Sequence, residues 1–263
     1  MSQEAREPGY LLAVRALRVS ARFNDDLHVP DALAELDALG DAACAVVGEG
    51  DEAERLSKLL LFLCNEQGFR GNRDNYRDPR NSYLDSVLER RLGTPLSLSI
   101  LLVAVAERVG IALRPVGFPT HFLVRYDAGN EPILIDAFNG GALLDEAGCR
   151  KLLEHQTRGR VPFDPRFLRA TPAPAIVLRM LRNIKAAHLD SGEVDAVIKA
   201  IDGILEIRPG LWDEVRDRGL LSVKIGELIR ARDYMGRYLA ANPAAADAAA
   251  IRMQLERVTH RLA

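Results

Sequence analysis

The sequence predicts an α+β protein: a helix-rich core with a small antiparallel sheet, followed by an all-α region that contains an internal repeat. Two observations support this prediction. Between residues 10 and 156, apolar patterns with helical spacing give way to short strand-like runs, and helical spacing then returns. After residue 172 only helical patterns occur, and they recur at a fixed interval. Helices followed by neighbouring antiparallel strands favour α+β over α/β.

Composition is typical of a globular protein. The chain has 263 residues, of which 48% are hydrophobic and 27% charged, which is enough for one large or two modest domains. The net charge of −2 gives no general attraction to nucleic acid or to an anionic membrane. The longest apolar run, Ile100 to Ala106, is too short to span a bilayer. We therefore expect neither a nucleic-acid nor a membrane partner.

The cysteines and the first residues predict a cytoplasmic protein. Cys44, Cys64 and Cys149 lie far apart and are odd in number, so neither a disulfide framework nor a zinc motif is indicated. We expect no metal and no other cofactor. The first ten residues, MSQEAREPGY, are charged where a signal peptide needs an apolar stretch. A reducing, cytoplasmic compartment fits both observations.

Helical spacing of apolar residues predicts the first part of the core. Five helices are expected, at 11–19, from 29 past 39, at 51–67, at 82–91 and at 94–110. The turn-rich, polar segment 68–83 is expected to be a loop. The fifth helix is the most apolar of the chain. Thr94 is its natural cap, Pro95 suits its first position, and Gly110 ends it.

Three strand-like runs follow that helix. We expect strands at 113–116, 121–126 and 132–137, with a turn at 127–130 and a helix from 143 to 156. The segment Asn139-Gly140-Gly141 ends the third strand. The strands are short and close in sequence, so an antiparallel arrangement is favoured.

The C-terminal region repeats at an interval of 34 residues. Two sequence marks and three apolar positions recur at this interval: Gly192-Glu193 with Gly226-Glu227, Arg208-Pro209 with Asn242-Pro243, Leu181 with Val215, Ile201 with Met235, and Leu205 with Leu239. A small residue between two helices and a proline after the second resemble the tetratricopeptide repeat. One helix pair cannot bury its own apolar face, so such pairs stack, and a helix over 244–262 would close the stack. We assign 1–165 to the core with its N-terminal helices and 166–263 to the repeats and the terminal helix.

His121 and Asp136 are the candidate chemical groups of the core. Residues on adjacent antiparallel strands can face each other, so the Asp136 carboxylate could fix the tautomer of the His121 ring. A nucleophile at the first turn of the helix that begins at Pro95 would complete a catalytic set. The N-terminus of a helix favours such a group because it lowers the pKa of a thiol.

Long ordered runs of the core resemble the SirB family, whose core belongs to the transglutaminase-like superfamily. The runs are GFRGN, YRDPRNSYLDSVLERRLGTPLSLSILLVAVAERVGI, GFPTHFLVRY and ILIDAFNGG, within roughly residues 10–155. The resemblance implies a papain-like arrangement of a helix-borne cysteine, a strand histidine and a strand aspartate. It also implies a repeat-bearing tail, as found here.

The resemblance places His121 on the superfamily histidine and Asp136 on its aspartate, but the nucleophile is missing. Pro95 follows Gly93-Thr94 where the cysteine is expected. Ser99 is one helical turn further on and could face the same way, so it is the candidate replacement. The pocket is expected to contain Asn81, Thr94, Pro95 and Ser97. Asn81 could instead simply cap the helix that follows it, and Ser97 points away from the Pro95 direction.

Two functions remain open from the sequence. In the first, the core is a non-catalytic remnant, and the helical repeats bind a protein or peptide. In the second, the core is a hydrolase or acyl-transfer enzyme that needs no cysteine, with His121 as general base and Ser99 or water as nucleophile. His121 and Asp136 could equally be a structural pair, Cys64 and Cys149 core residues, and the repeats a brace for the core.

Overall fold

The computed structural model describes residues 9–129 and 131–263 and confirms the α+β class. The first eight residues, which carry the signal-peptide argument, and Asn130, at the end of the predicted turn, lie outside the described residues. Contacts divide the chain into two compact units, one up to Met180 and one from Leu181 onward. This division falls later than the sequence-based boundary at 165/166.

Five helices open the first unit, here called the core unit. They are α1 Gly9–Ser20, α2 Val29–Val47, α3 Glu52–Leu61, α4 Leu84–Arg90 and α5 Pro95–Arg108. α3 continues into a π-helical turn, Phe62–Glu66, so the helix predicted over 51–67 has nearly its expected length. α5 is buried from Pro95 to Ala106 because α1, α2 and the sheet pack around it. Over this stretch its side chains are apolar on all sides except for Ser97 and Ser99, as expected of a helix that is buried all round.

The core unit contains a four-stranded antiparallel sheet and a two-stranded parallel pair. The sheet has the order β3 Leu113–Val116, β4 Leu123–Ala128, β5 Glu131–Asp136 and β6 Ala142–Leu144, and the parallel pair joins β1 Arg70–Gly71 to β2 Leu92–Gly93. Val124 pairs with Ile135 in the register of β4 and β5. Both are fully buried, so this register directs one face of the sheet into the core.

Several predicted boundaries are wrong. β4 begins at Leu123, so His121 precedes the strand rather than lying in it. The predicted helix over 143–156 starts with strand β6, and α6 covers only Glu146–Thr157. Asp145 sets this start, because its side chain accepts a hydrogen bond of 2.7 Å from the backbone N–H of Gly148.

Helices form the end of the chain, as the repeat predicts. They are α7 Ala173–Ser191, α8 Val194–Ile207, α9 Trp212–Lys224, α10 Leu228–Ala241 and α11 Ala248–Leu262. Gly192 and Gly226 have φ of 77° and 81°, so the small residue of each repeat is required by a left-handed turn between helices. Val215, Met235 and Ile251 belong to one apolar core of the second unit, here called the repeat unit. Along the described residues, no helix combines the length and apolar character needed to cross a membrane.

Candidate functional site

His121 and Asp136 lie side by side in the core unit. His121 Nε2 is 2.9 Å from Asp136 Oδ1, and the two residues are 5% and 2% exposed. The carboxylate oxygen is out of line with the ring N–H, so the contact is a close electrostatic pair rather than a well-aligned hydrogen bond. The structure thus brings the two predicted groups together, although His121 is on a loop.

Asp136 is positioned by the end of β5. It is the last residue of that strand, and its side chain caps the 3₁₀ turn Ala137–Asn139. Oδ1 accepts the backbone N–H of Asn139 at 3.2 Å, and Oδ2 accepts its side-chain amide at 2.7 Å. Burial alone would raise the pKa of Asp136, but the contacts with His121 and Asn139 outweigh burial and lower it. The carboxylate is therefore ionised at neutral pH.

His121 is positioned by a tight turn between β3 and β4. Its backbone N–H donates to Phe118 O at 3.1 Å. Thr120, directly before it, has φ of 62°, a conformation that a β-branched residue rarely adopts. Arg179 of α7 closes the turn, donating from Nη1 to Phe118 O at 3.0 Å and from Nη2 to His121 O at 2.6 Å. The turn thus keeps an unfavourable backbone conformation where it presents His121 to Asp136.

Phe138 covers the imidazole edge-on. The two ring centroids are 6.1 Å apart with an interplanar angle of 87°, and Phe138 makes a similar contact with Tyr76 at 5.8 Å. The other side of Phe138 lies on Gly71 of β1, where an added Cβ would be 2.4 Å from the ring. Only glycine fits there, so the parallel pair β1–β2 fixes the position of Phe138.

Pro95 occupies the first position of α5, as predicted, and is buried. Thr94 caps the helix: its Oγ1 accepts the backbone N–H of Ser97 at 3.2 Å, and its own N–H donates to Ser97 Oγ at 2.9 Å. α5 packs against the turn Ala137–Asn139, which follows Asp136 directly. Pro95 thus begins a capped helix that packs against the turn after Asp136, at the position where the superfamily resemblance expects a thiol.

The serine hydroxyls of α5 bind backbone carbonyls. Ser97 Oγ donates to Asn81 O at 2.6 Å, and Ser99 Oγ donates to Pro95 O at 2.7 Å. Both residues are almost completely buried. The Ser99 proton is thus used within its own helix, in the bond to the carbonyl four residues earlier. It is not directed at His121.

Asn81 holds a loop together. Its Oδ1 accepts from Asn72 Nδ2 at 2.9 Å, and its Nδ2 donates to Asn75 O at 2.7 Å. It does not cap α4 as one interpretation expected, because the residue before that helix is Tyr83. A fully buried amide whose bonds all remain in the loop 72–81 and its surroundings stabilises that loop.

Two thiols of the core, Cys64 and Cys149, are poor nucleophiles at neutral pH. Burial raises the pKa of Cys64, which lies beside Gly141. Burial, together with Asp145 and Glu146, raises the pKa of Cys149 to about 12. The thiolate is the reactive form, and it is disfavoured at both positions. Within residues 9–129 and 131–263, no group of three or more His, Cys, Asp or Glu side chains could hold a metal ion.

Sequence reasoning missed Arg179, Tyr76 and Phe138. Arg179 comes from a helix far along the chain, and nothing in its local sequence marks it. Tyr76 and Phe138 lie within the runs that resemble the SirB family, but aromatic residues are more often read as core. Only the edge-on contacts of Phe138 show that these rings adjoin His121.

The repeat unit has an open cleft of about 340 Å³ between α9 and α11. Its walls combine apolar and charged side chains, namely Arg216, Leu220, Asp247, Ile251, Met253 and Arg257. Met253 is 56% exposed and Leu220 36%, so both offer apolar surface to solvent. Arg216 is held by Asp247 at 3.0 Å and by Asp217 at 2.8 Å.

Comparison with known proteins agrees with this architecture. Residues 30–182 match the transglutaminase-like superfamily, and residues 184–256 match the tetratricopeptide repeat. A UPF0162 protein of Xylella fastidiosa is 38% identical over 192 residues, covering 72% of this chain and 68% of the relative. A UPF0162 protein of Vibrio cholerae is 32% identical over 208 residues, covering 78% of this chain and 77% of the relative. Protein SirB1 of Salmonella typhimurium is 29% identical over 173 residues, covering 65% of this chain and 64% of that protein. No solved structure is a significant match.

Proposed function

This chain belongs to the SirB family of transglutaminase-like proteins, and on that basis we propose that it is a non-catalytic member whose helical repeats bind a protein or peptide. The observation that carries the proposal is Pro95 at the first turn of α5, where the resemblance expects a cysteine. A proline side chain offers no atom that can attack a carbonyl group.

The other groups near this position support the same proposal. The hydroxyls of Ser97 and Ser99 donate to backbone carbonyls, and the raised pKa values of Cys64 and Cys149 disfavour their thiolates. The histidine and aspartate then act as a buried pair that stabilises the β3–β4 turn. The three free thiols support a reducing, cytoplasmic location.

Binding is assigned to the repeat unit because of its exposed apolar cleft. Stacked helix pairs commonly bind other proteins through such surfaces. Met253 and Leu220 offer apolar contacts, and Arg257 lies at the same cleft as a charged group.

A second function is favoured by one observation, the intact His121–Asp136 pair. In this alternative the core hydrolyses or transfers an acyl group without a cysteine, and His121 activates water. Ser99 is a weaker nucleophile candidate, since its hydroxyl donates to Pro95 O. Turnover that is lost in His121→Ala and unaffected by thiol alkylation would support this alternative.

The binding proposal is tested with surface variants of the full chain. Purified Met253→Glu and Leu220→Glu proteins are compared with wild type for proteins retained from a lysate of the source organism, identified by mass spectrometry. Ile229→Glu is the matched control, because Ile229 is 61% exposed on α10 and is not among the residues that line the cleft. We expect one set of proteins to be retained by wild type and Ile229→Glu and lost with the two cleft variants. Equal retention by all four proteins would contradict the proposal.

A further inference from the structure

Arg179 is a half-buried cation without an acidic partner. Its two terminal nitrogens donate to the carbonyls of Phe118 and His121, and its guanidinium lies 5.4 Å from the ring centroid of Phe122. Burial lowers the pKa of Arg179, and Tyr76 opposes this only in part. Among the described residues, no acidic side chain forms an ion pair with Arg179, and no carboxylate contributes to the shift of its pKa. Buried charges in proteins are normally paired, so this cation has the capacity to bind an anion.

The surroundings of Arg179 are aromatic and carry a second cation. Burial raises the pKa of Tyr76, and Arg179 opposes this in part. The Tyr76 ring contacts Phe138, which in turn contacts His121. Tyr76 is 52% exposed, so solvent reaches this surface. Arg73 donates to the side-chain oxygen of Asn139, whose amide holds Asp136.

The carboxylate among these groups, Asp136, already has its own partners. Asp136 is in contact with His121 and accepts two hydrogen bonds from Asn139. Its charge is therefore not available to Arg179. Arg179 thus lies beside aromatic side chains and forms no ion pair with Asp136.

We propose that the surface formed by Tyr76, Phe138, His121 and Arg179, here called the Arg179 surface, binds the carboxylate group of a small acid or of a peptide C-terminus. A guanidinium has five N–H donors, and the backbone carbonyls use only two of its nitrogens with one bond each. The remaining donors suit the planar geometry of a carboxylate. The rings of Tyr76 and Phe138 contact the carbon atoms next to it. This site is in the core unit and is independent of the repeat-unit cleft.

The test is an NMR titration of the full-length protein with N-acetylglycine. We expect saturable shifts of the amide signals of His121 and Phe138. N-acetylglycinamide has nearly the same size and no charge, and we expect it to bind at least about tenfold more weakly. N-acetyl-Ala-Ala-Gly and inorganic phosphate complete the series. Tighter binding of the tripeptide than of N-acetylglycine identifies a peptide C-terminus, and equal binding identifies a small acid.

Variants locate the binding. Arg179→Gln keeps a donor for the backbone carbonyls and removes the charge, so saturable binding is expected to be lost. Arg179→Lys retains a charge and part of the affinity. Arg182→Gln changes an exposed arginine further along α7 and is the control. If Arg179→Gln does not fold, Tyr76→Ser takes its place as the test variant, because Tyr76 is half-exposed. Tyr76→Ser is expected to weaken binding.

Three outcomes would overturn the proposal. They are the absence of saturable shifts with N-acetylglycine, equal affinity for the acid and the amide, and unchanged affinity in Arg179→Gln. Phosphate binding that exceeds carboxylate binding would also contradict it, because the ligand class would then be different. The titration measures neither turnover nor binding to the repeats, so its failure leaves the proposed function untouched.

Discussion

The first residues of α5 form a capped helix start with proline at its first position. Thr94 caps the helix and Pro95 begins it, at the point where a thiol would benefit from the partial positive charge of the helix N-terminus. Proline is well suited to that position because its missing N–H would be unpaired there in any case. The resemblance expects a cysteine where Pro95 stands, and this side chain can be changed.

The first prediction is that Pro95→Cys folds and gives a thiol with a pKa below that of an ordinary cysteine. The loss of stability is expected to be below about 1 kcal/mol, because the proline contributes mainly preset backbone geometry. The helix N-terminus and His121 favour the thiolate. Ultraviolet absorbance of the thiolate against pH measures the pKa, with Cys64 and Cys149 titrating at higher pH.

Two controls complete this measurement. Pro95→Ala separates the loss of the proline ring from the gain of the thiol. Pro95→Cys combined with His121→Ala should raise the thiol pKa if the imidazole is close. A normal pKa in the single variant would show that the start of α5 is not directed at His121.

The second prediction concerns the charge of Asp136. The folded protein holds the pKa of Asp136 below its ordinary value of 3.8, so its contribution to stability is present above that value and is lost as pH falls through the lowered one. Asp136→Asn is expected to cost about 1.5–3 kcal/mol at pH 7, since it removes hydrogen bonds to a buried charge. Urea unfolding at pH 7 and near pH 3 measures this difference, which should shrink at the lower pH.

Asp41→Asn is the matched control for Asp136. The Asp41 side chain is 62% exposed and pairs with an exposed arginine, so the change is expected to cost at most about 1 kcal/mol. An Asp136→Asn cost that is equally small, or independent of pH, would show that the carboxylate is not stabilised by its neighbours.

At the level of elements, sequence patterns predicted the long segments and missed the short ones. The five helices of the core and the three-stranded pattern after α5 have enough residues for their periodicity to show. β1 and β2 have two residues each, which is too short for any periodicity to show. Their pairing joins segments that lie about twenty residues apart in sequence, so local patterns do not reveal it. The π-helical turn after α3 depends on the backbone and not on side-chain pattern.

Short, irregular segments of the candidate site are also difficult to predict from sequence patterns. His121 and Asp136 were found because the resemblance covers their segments, but the turn that holds His121 was predicted to be strand. The reason is the positive φ of Thr120, which no property of threonine indicates. The start of α6 was predictable, because Asp145 is a strong cap residue and Leu143-Leu144 fits a strand as well as a helix. The apolar pair Leu143-Leu144 favours an earlier helix start, whereas the cap residue Asp145 marks the observed one.

The third prediction compares two serines of one helix. Ser97→Ala removes two hydrogen bonds, to Asn81 O and from the Thr94 N–H, although these two groups still bond each other at 3.1 Å, so a loss of about 1–3 kcal/mol is expected. Ser99→Ala removes only a bond within the helix and should cost less than about 1 kcal/mol. Urea unfolding of both variants measures the difference. The order of the two losses is the result to check, because both side chains are buried and have the same size.

At the scale of the whole molecule, the repeat period was the most informative sequence feature. It matched Val215 with Leu181 and Met235 with Ile201, and all four are at most 1% exposed. It did not predict Arg218, which is 1% exposed and donates to Asp202 at 2.7 Å. A charged residue on an apolar helix face is normally read as surface, and only its contacts with other helices of the repeat unit explain its burial.

The fourth prediction is that no activity of the full-length protein depends on a thiol. Pro95 stands where the resemblance expects the nucleophile, and the raised pKa values of Cys64 and Cys149 keep both thiols protonated at neutral pH. Amine incorporation into glutamine substrates and amide hydrolysis are measured before and after complete alkylation, and any turnover should be unchanged. The control is Pro95→Cys, in which alkylation should block whatever activity the new thiol provides. An activity of the natural protein that disappears on alkylation, and returns when Cys64 is the only cysteine kept, would show that the core is an enzyme with a displaced nucleophile.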